Sequence, residues 1–159
     1  MLIPCNRSRL HIKYKRTSNI LTIGAMNISR IEHLGIAVKS IEESLPYYEQ
    51  VLGLKCYNIE TVEDQKVRTA FLKAGETKIE LLEATSPDST IAKFIENRGE
   101  GIHHIAYKIE DGVANALSEC DEKGIRTIDK APRAGAEGLK IAFLHPKSTM
   151  GVLTELCEE

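Results

Sequence analysis

Two stretches of the 159-residue chain carry the same pattern 71 residues apart. Ile31-Glu32-His33-Leu34-Gly35-Ile36-Ala37-Val38 and Ile102-His103-His104-Ile105-Ala106-Tyr107-Lys108-Ile109 both read as alternating, half-buried strands. Each precedes a helical pattern. The first, from Ile41 to Leu52, spaces Ile41, Leu45, Tyr48 and Leu52 helically and stops at Gly53; the second, from Val113 to Lys123, does so with Val113, Ala116, Leu117 and Cys120 and stops at Gly124. The parallel continues with Gly53-Leu54-Lys55 and Gly124-Ile125-Arg126, then Phe71-Leu72 and Phe143-Leu144. It ends with Ile79-Glu80-Leu81-Leu82 and Thr154-Glu155-Leu156-Cys157. Each half therefore reads as a βαβββ module, about 29–85 and about 100–159. A turn-rich linker and a short helix around Ile91 to Asn97 lie between them, at about 86–99. A four-stranded sheet with one helix leaves a face bare, so the spacing predicts an α+β fold of two paired βαβββ modules in one domain, 26–159.

Composition limits what such a fold can be used for. The chain is 42% hydrophobic with no Trp, so Ile, Leu and Val must fill the core. A net charge of −2 argues against a nucleic-acid binder, and no run approaches a membrane span. The charge is uneven: residues 1–25 hold five of the 21 Lys and Arg and no acid, leaving 16 against 23 Asp and Glu, or −7, in the remainder. This basic head reads as a poorly ordered extension ahead of a start at Met26, or as a mitochondrial presequence. The four cysteines are scattered, without a C-x-x-C pair, which implies a reducing compartment and a cytoplasmic protein, or a matrix protein if the head is a presequence.

Strand residues alternate between faces, so equivalent positions of the repeat should point into equivalent places. His33 aligns with His104 and Glu80 with Glu155; His103 aligns with Glu32 and is expected to face outward. A His or Glu alone in a strand is ordinarily solvated or hydrogen-bonded. Two His–Glu pairs at matching positions instead predict one divalent ion between the modules, because buried carboxylates need a partner or a metal. Imidazole and carboxylate donors suit Co²⁺, Ni²⁺, Zn²⁺, Fe²⁺ or Mn²⁺.

These residues resemble the methylmalonyl-CoA epimerase family of the vicinal oxygen chelate superfamily. The resemblance rests on Glu32-His33-Leu34-Gly35-Ile36, Lys78-Ile79-Glu80-Leu81-Leu82-Glu83 and Gly101-Ile102-His103-His104-Ile105-Ala106. It is most specific in Phe143-Leu144-His145-Pro146-Lys147 and Gly151-Val152-Leu153-Thr154-Glu155-Leu156. It implies curved mixed sheets around a central cleft, metal ligands at His33, Glu80, His104 and Glu155, cobalt as the favoured ion, and a homodimer. It also implies methylmalonyl-CoA as substrate, epimerised at C2 with Glu155 as a catalytic acid/base. In one departure, Thr69 stands where some relatives carry a Glu proposed as a second base. Thr69 is thus a candidate substrate-binding residue that positions water. Lys147 and Ser148 are candidates for contacting the CoA portion or the substrate carboxylate, and read equally well as a solvated turn. Two alternatives are a glyoxalase I-like metal-dependent isomerase and a metal-free small-molecule-binding protein. The Ala134-Gly135-Ala136-Glu137-Gly138 stretch lacks the strand–glycine–helix context of a dinucleotide site and reads as a loop.

Overall fold

The computed structural model describes residues 25–159; the basic head, up to residue 24, lies outside the described residues. The first repeat forms β1 (Ile28–Ala37), α1 (Ile41–Pro46), β2 (Cys56–Val62), β3 (Val67–Ala74) and β4 (Thr77–Ala84). After α2 (Thr90–Arg98), the second forms β5 (Gly101–Ile109), α3 (Val113–Glu122), β6 (Arg133–Ala134), β7 (Lys140–Leu144) and β8 (Thr154–Glu158). All eight strands join one curled mixed sheet in the order β2-β3-β4-β1-β5-β8-β7-β6. The first strand of each module pairs parallel with its last, and β1 and β5 pair antiparallel to unite the modules. The α+β fold of paired βαβββ modules is the one the repeat predicts.

The repeat extends to helix capping. Glu83 Oε2 accepts the Ile41 N–H at 2.6 Å, and Glu158 Oε2 accepts the Val113 N–H at 2.6 Å. In each module a carboxylate at the end of the last strand thus holds the helix start, where unpaired N–H groups and the helix dipole favour negative charge. Each helix then covers its own apolar cluster. Ile41 packs with Val38, Ala70, Leu72 and Leu81; Val113, Leu117 and Cys120 pack with Leu144 and Leu156.

Two segments depart from the sequence expectation. The first helix is not continuous to Leu52: it ends as an α-helix at Pro46 and runs on as a π-helical turn, Tyr47–Val51, in which the Leu52 N–H donates to Tyr47 O at 3.1 Å. Pro46 lacks an N–H and its ring crowds the carbonyl four residues back, which disrupts the regular ladder. In the second module the counterpart of β2 is nearly lost, leaving one bridge between Thr127 and Leu144 and a two-residue β6. Pro132 cannot donate to a ladder. The Asp129 carboxylate substitutes, accepting the Phe143 N–H at 2.8 Å and the Arg133 Nε–H at 3.1 Å.

The β1–β5 register sets the site. His33 lies opposite Ala106 and His104 opposite Gly35, so each imidazole crosses a small residue of the other module. A Cβ on Gly35 would sit 2.2 Å from His104 Cε1. Gly35→Ala is therefore expected to displace the His104 ring and to lower stability by about 1–3 kcal/mol, as overpacking does, measured by urea unfolding. Leu81→Ala and Leu156→Ala, in different modules, should each cost about 2–5 kcal/mol. Because β1–β5 joins the modules, both should shift one common transition; two separated transitions in either variant would show that the modules unfold independently.

Candidate metal centre

β1 and β5 bring His33 and His104 together, with Nε2 atoms 2.9 Å apart and rings edge to face at 5.1 Å between centroids. β4 and β8 bring in the carboxylates by a repeated register. Glu80 pairs across from Gly35 and Phe71, and Glu155 from the equivalent Ala106 and Phe143. Glu80 Oε2 lies 3.2 Å from His33 Nε2 and 3.6 Å from His104 Nε2; Glu155 Oε2 lies 3.1 Å from His104 Nε2 and 3.7 Å from His33 Nε2. All four side chains are buried.

Ligand atoms of His33, Glu80 and His104 lie within 4.8 Å of one another and could hold a divalent ion, with Glu155 against the same Nε2 atoms. Donors about 2.1 Å from a common ion and at right angles to one another are about 3 Å apart, close to these separations. Two imidazole nitrogens and two carboxylate oxygens are the mixture that borderline ions take. Each imidazole is also held by its Nδ1, as a ligating histidine normally is. His33 Nδ1–H donates to Glu32 Oε2 at 2.5 Å, while His104 Nδ1 approaches His103 Nδ1 at 2.9 Å.

Those supporting partners arise from a feature that alternation alone does not reveal. The β1–β5 register skips at Glu32 and again at His103, 71 residues later, so each is the extra residue of a β-bulge. A bulge breaks the period of two and re-aims a side chain. This corrects the outward expectation for His103: it is half-buried, lines the cavity and meets Phe94 edge to face. Glu32 likewise turns inward and is 3% exposed.

Electrostatics separates the groups. Burial disfavours the His33 imidazolium, yet the carboxylates of Glu155, Glu32 and Glu80 outweigh it and raise its pKa to about 10. Burial would also raise Glu155, but hydrogen bonding and charge from His104 and His33 bring it down to about 2. Glu80 moves upward, because burial outweighs the attraction of the two imidazoles. His103 falls to about 4 through burial and the neighbouring His104 charge, so it is a neutral partner.

The cluster opens on a cavity of about 250 Å³ walled largely by apolar side chains such as Val67, Leu82, Ile91, Ile141 and Leu153. Among the described residues, Glu80 and Glu155 are the carboxylates on its wall. Thr69 lies there too, buried, with its hydroxyl donating to Glu60 O at 3.4 Å. Lys147 and Ser148 do not line the cavity. They form a single 3₁₀ turn before β8, where the Lys147 N–H donates to His145 Nδ1 and Ser148 Oγ accepts the Arg126 N–H. Arg133, which the sequence reading did not single out, lines the cavity with its guanidinium 5.5 Å from the Phe143 ring centroid.

Comparisons with known proteins agree with this architecture. The glyoxalase/bleomycin resistance protein/dioxygenase superfamily model matches residues 32–143. The uncharacterized protein YqjC of Bacillus subtilis is 47% identical over 135 residues, 82% of this chain and 93% of that protein. The ethylmalonyl-CoA/methylmalonyl-CoA epimerase of Cereibacter sphaeroides is 39% identical over 131 residues, 81% of this chain and 97% of that enzyme. The structure of a Streptomyces coelicolor methylmalonyl-CoA epimerase, in complex with 2-nitronate-propionyl-CoA, superposes with a TM-score of 0.79 at 37% identity, covering 82% of this chain and 94% of that one. These similarities support an isomerase, specifically an epimerase, as the enzyme class. The chain belongs to the glyoxalase/bleomycin resistance protein/dioxygenase superfamily, the vicinal oxygen chelate fold, and within it to the methylmalonyl-CoA epimerase family.

Proposed function

We propose that this protein interconverts (R)- and (S)-methylmalonyl-CoA, using one divalent ion held by His33, Glu80, His104 and Glu155. The observation that carries the reading is the convergence of these four buried side chains at an apolar cavity large enough for a small acyl group. Relatives that act on methylmalonyl-CoA support the substrate. Cobalt is the favoured ion, a homodimer the favoured assembly, and the cytoplasm the favoured location. No helix among the described residues is long and apolar enough to cross a membrane.

Epimerisation requires the C2 proton, flanked by a carboxylate and a thioester, to leave one face and return on the other. A bound divalent ion supplies Lewis-acid stabilisation of the negative charge that develops on the substrate oxygens. Glu155, on the cavity wall, takes the C2 proton on its carboxylate. For the opposite face the candidates are Glu80, the other carboxylate on the wall, and a water positioned by Thr69. The apolar wall excludes bulk water from the carbanion. Arg133, which lines the cavity, is the cation for the substrate carboxylate, and Lys147 and Ser148, on the turn outside the cavity, are candidates only for the CoA portion. They matter because the −7 remainder offers no general positive field.

The decisive experiment follows deuterium incorporation at C2 of methylmalonyl-CoA in D₂O, alongside metal analysis. Wild-type protein should bind one ion per chain and exchange the C2 proton; failure to exchange with metal bound would overturn the epimerase reading, and a parallel glyoxalase assay tests the sister reaction. Glu155→Gln should retain metal and lose about 10²–10⁴-fold in the exchange rate of the epimer whose C2 proton faces Glu155, the usual weight of a general base. Full activity in that variant would remove Glu155 from the proton path. If Glu80 serves the second face, Glu80→Gln should still exchange one epimer while inverting it far more slowly.

A further inference from the structure

Beside the metal centre runs a line of charged side chains that proton transfer does not use. Glu32 receives His33 Nδ1–H on one carboxylate oxygen and Lys78 Nζ on the other, each at 2.5 Å. Lys78 Nζ also donates to Glu137 Oε2 at 2.7 Å. The side chain of Glu32 is 4% exposed and those of Lys78 and Glu137 are 19% and 18% exposed, so solvent screens these pairs less than it does surface ones.

Glu137 sits in the short turn Ala136–Gly138 between β6 and β7, and its neighbours Ala136 and Leu139 wall the cavity. Three groups of the first module grip it. Besides Lys78, Tyr57 Oη donates to Glu137 Oε2 at 3.1 Å, and Glu60 Oε1 accepts the Glu137 N–H at 2.6 Å. The residue holds φ 53° and ψ 24°, a left-handed conformation that is unfavourable for a non-glycine residue and persists only where surrounding contacts offset it. β2 and β6 are the two edges of the sheet and do not pair with each other. Side chains, not a backbone ladder, therefore tie this turn of the second module to the first.

We propose that Glu137 is a positioning residue for His33: the seated β6–β7 turn holds Lys78 against Glu32, Glu32 fixes the His33 ring, and metal affinity is thereby coupled to the turn that walls the cavity. The coupling is reciprocal by thermodynamic necessity, so a bound ion also holds the turn in place. The proposal rests on the metal-binding part of the reading above and not on the identity of the substrate.

The test is a Co²⁺ titration of the full chain, followed by the visible absorption of the ion, with no substrate present. Glu137→Asn removes the charge with a residue that tolerates left-handed backbone. It should weaken Co²⁺ binding about 3- to 10-fold and shift the visible bands, a smaller effect than the roughly 10- to 100-fold expected of the direct partner in Glu32→Gln. In the Glu32→Gln background, Glu137→Asn should add almost nothing, because the line is already cut. Lys78→Met should reproduce the loss while leaving the turn's Tyr57 and Glu60 contacts in place, which covers the case of a Glu137 variant that folds poorly. Co²⁺ should also slow amide exchange across Ala136–Gly138 in wild type but not in Glu32→Gln. An unchanged affinity and spectrum in Glu137→Asn and Lys78→Met, or equal losses in both backgrounds, overturns the coupling while leaving the metal site intact. A wild-type chain that binds no Co²⁺ overturns the metal reading itself.

Discussion

The antiparallel pairing of β1 with β5 is the contact on which the rest of this structure depends. It is the seam between two copies of one module, and it places His33 opposite Ala106 and His104 opposite Gly35. Gly35 has no room for a side chain, because the His104 imidazole occupies the space a Cβ there would need. Once the two Nε2 atoms meet, the parallel strands β4 and β8 deliver Glu80 and Glu155 at equivalent registers. The quartet is a consequence of pairing, with two donors supplied from each half.

That arrangement concentrates charge where a domain of this size normally places none. Glu32, Glu80 and Glu155 are all buried, with two imidazoles and the half-buried Lys78 as their counterparts. Desolvating several carboxylates is costly, and a buried ion pair is weak evidence for stability. Every buried side-chain nitrogen and oxygen among the described residues nevertheless has a hydrogen-bond partner. A divalent cation would offset much of the remaining negative charge, so the physical demand for a metal follows from the carboxylates as well as from the histidines.

The two modules have not stayed equivalent. The first keeps a full β2 and presents Tyr57 and Glu60 from it; the second reduces its counterpart to an irregular segment stabilised by Asp129. His33 is backed by an ionised carboxylate, whereas His104 is backed by a neutral imidazole. A histidine supported by an anion is the more basic donor, so the two imidazoles would be ligands of unequal character toward an ion. The loss of regular strand in the second module leaves Ala136–Gly138 as a turn held by side chains from the first.

The sequence by itself determined the doubled βαβββ architecture, because the period-two runs and their glycine-terminated helices recur at nearly constant offset. It also singled out His33, Glu80, His104 and Glu155, since equivalent positions of a repeat must point into equivalent places. Pro46 was a visible signal for the interrupted first helix, although helical spacing alone carried the pattern to Leu52. Tertiary structure alone decided the direction of Glu32 and His103: their bulges arise from the pairing of two strands 71 residues apart, and a pattern read along one strand assumes an unbroken pleat. It alone joined Lys78 to Glu137, 59 residues away, and brought Arg133 to the cavity. Local periodicity reports which face a residue occupies in a regular element. The partners of a charge in an irregular turn depend on how the whole sheet curls, and no short window of sequence contains that information.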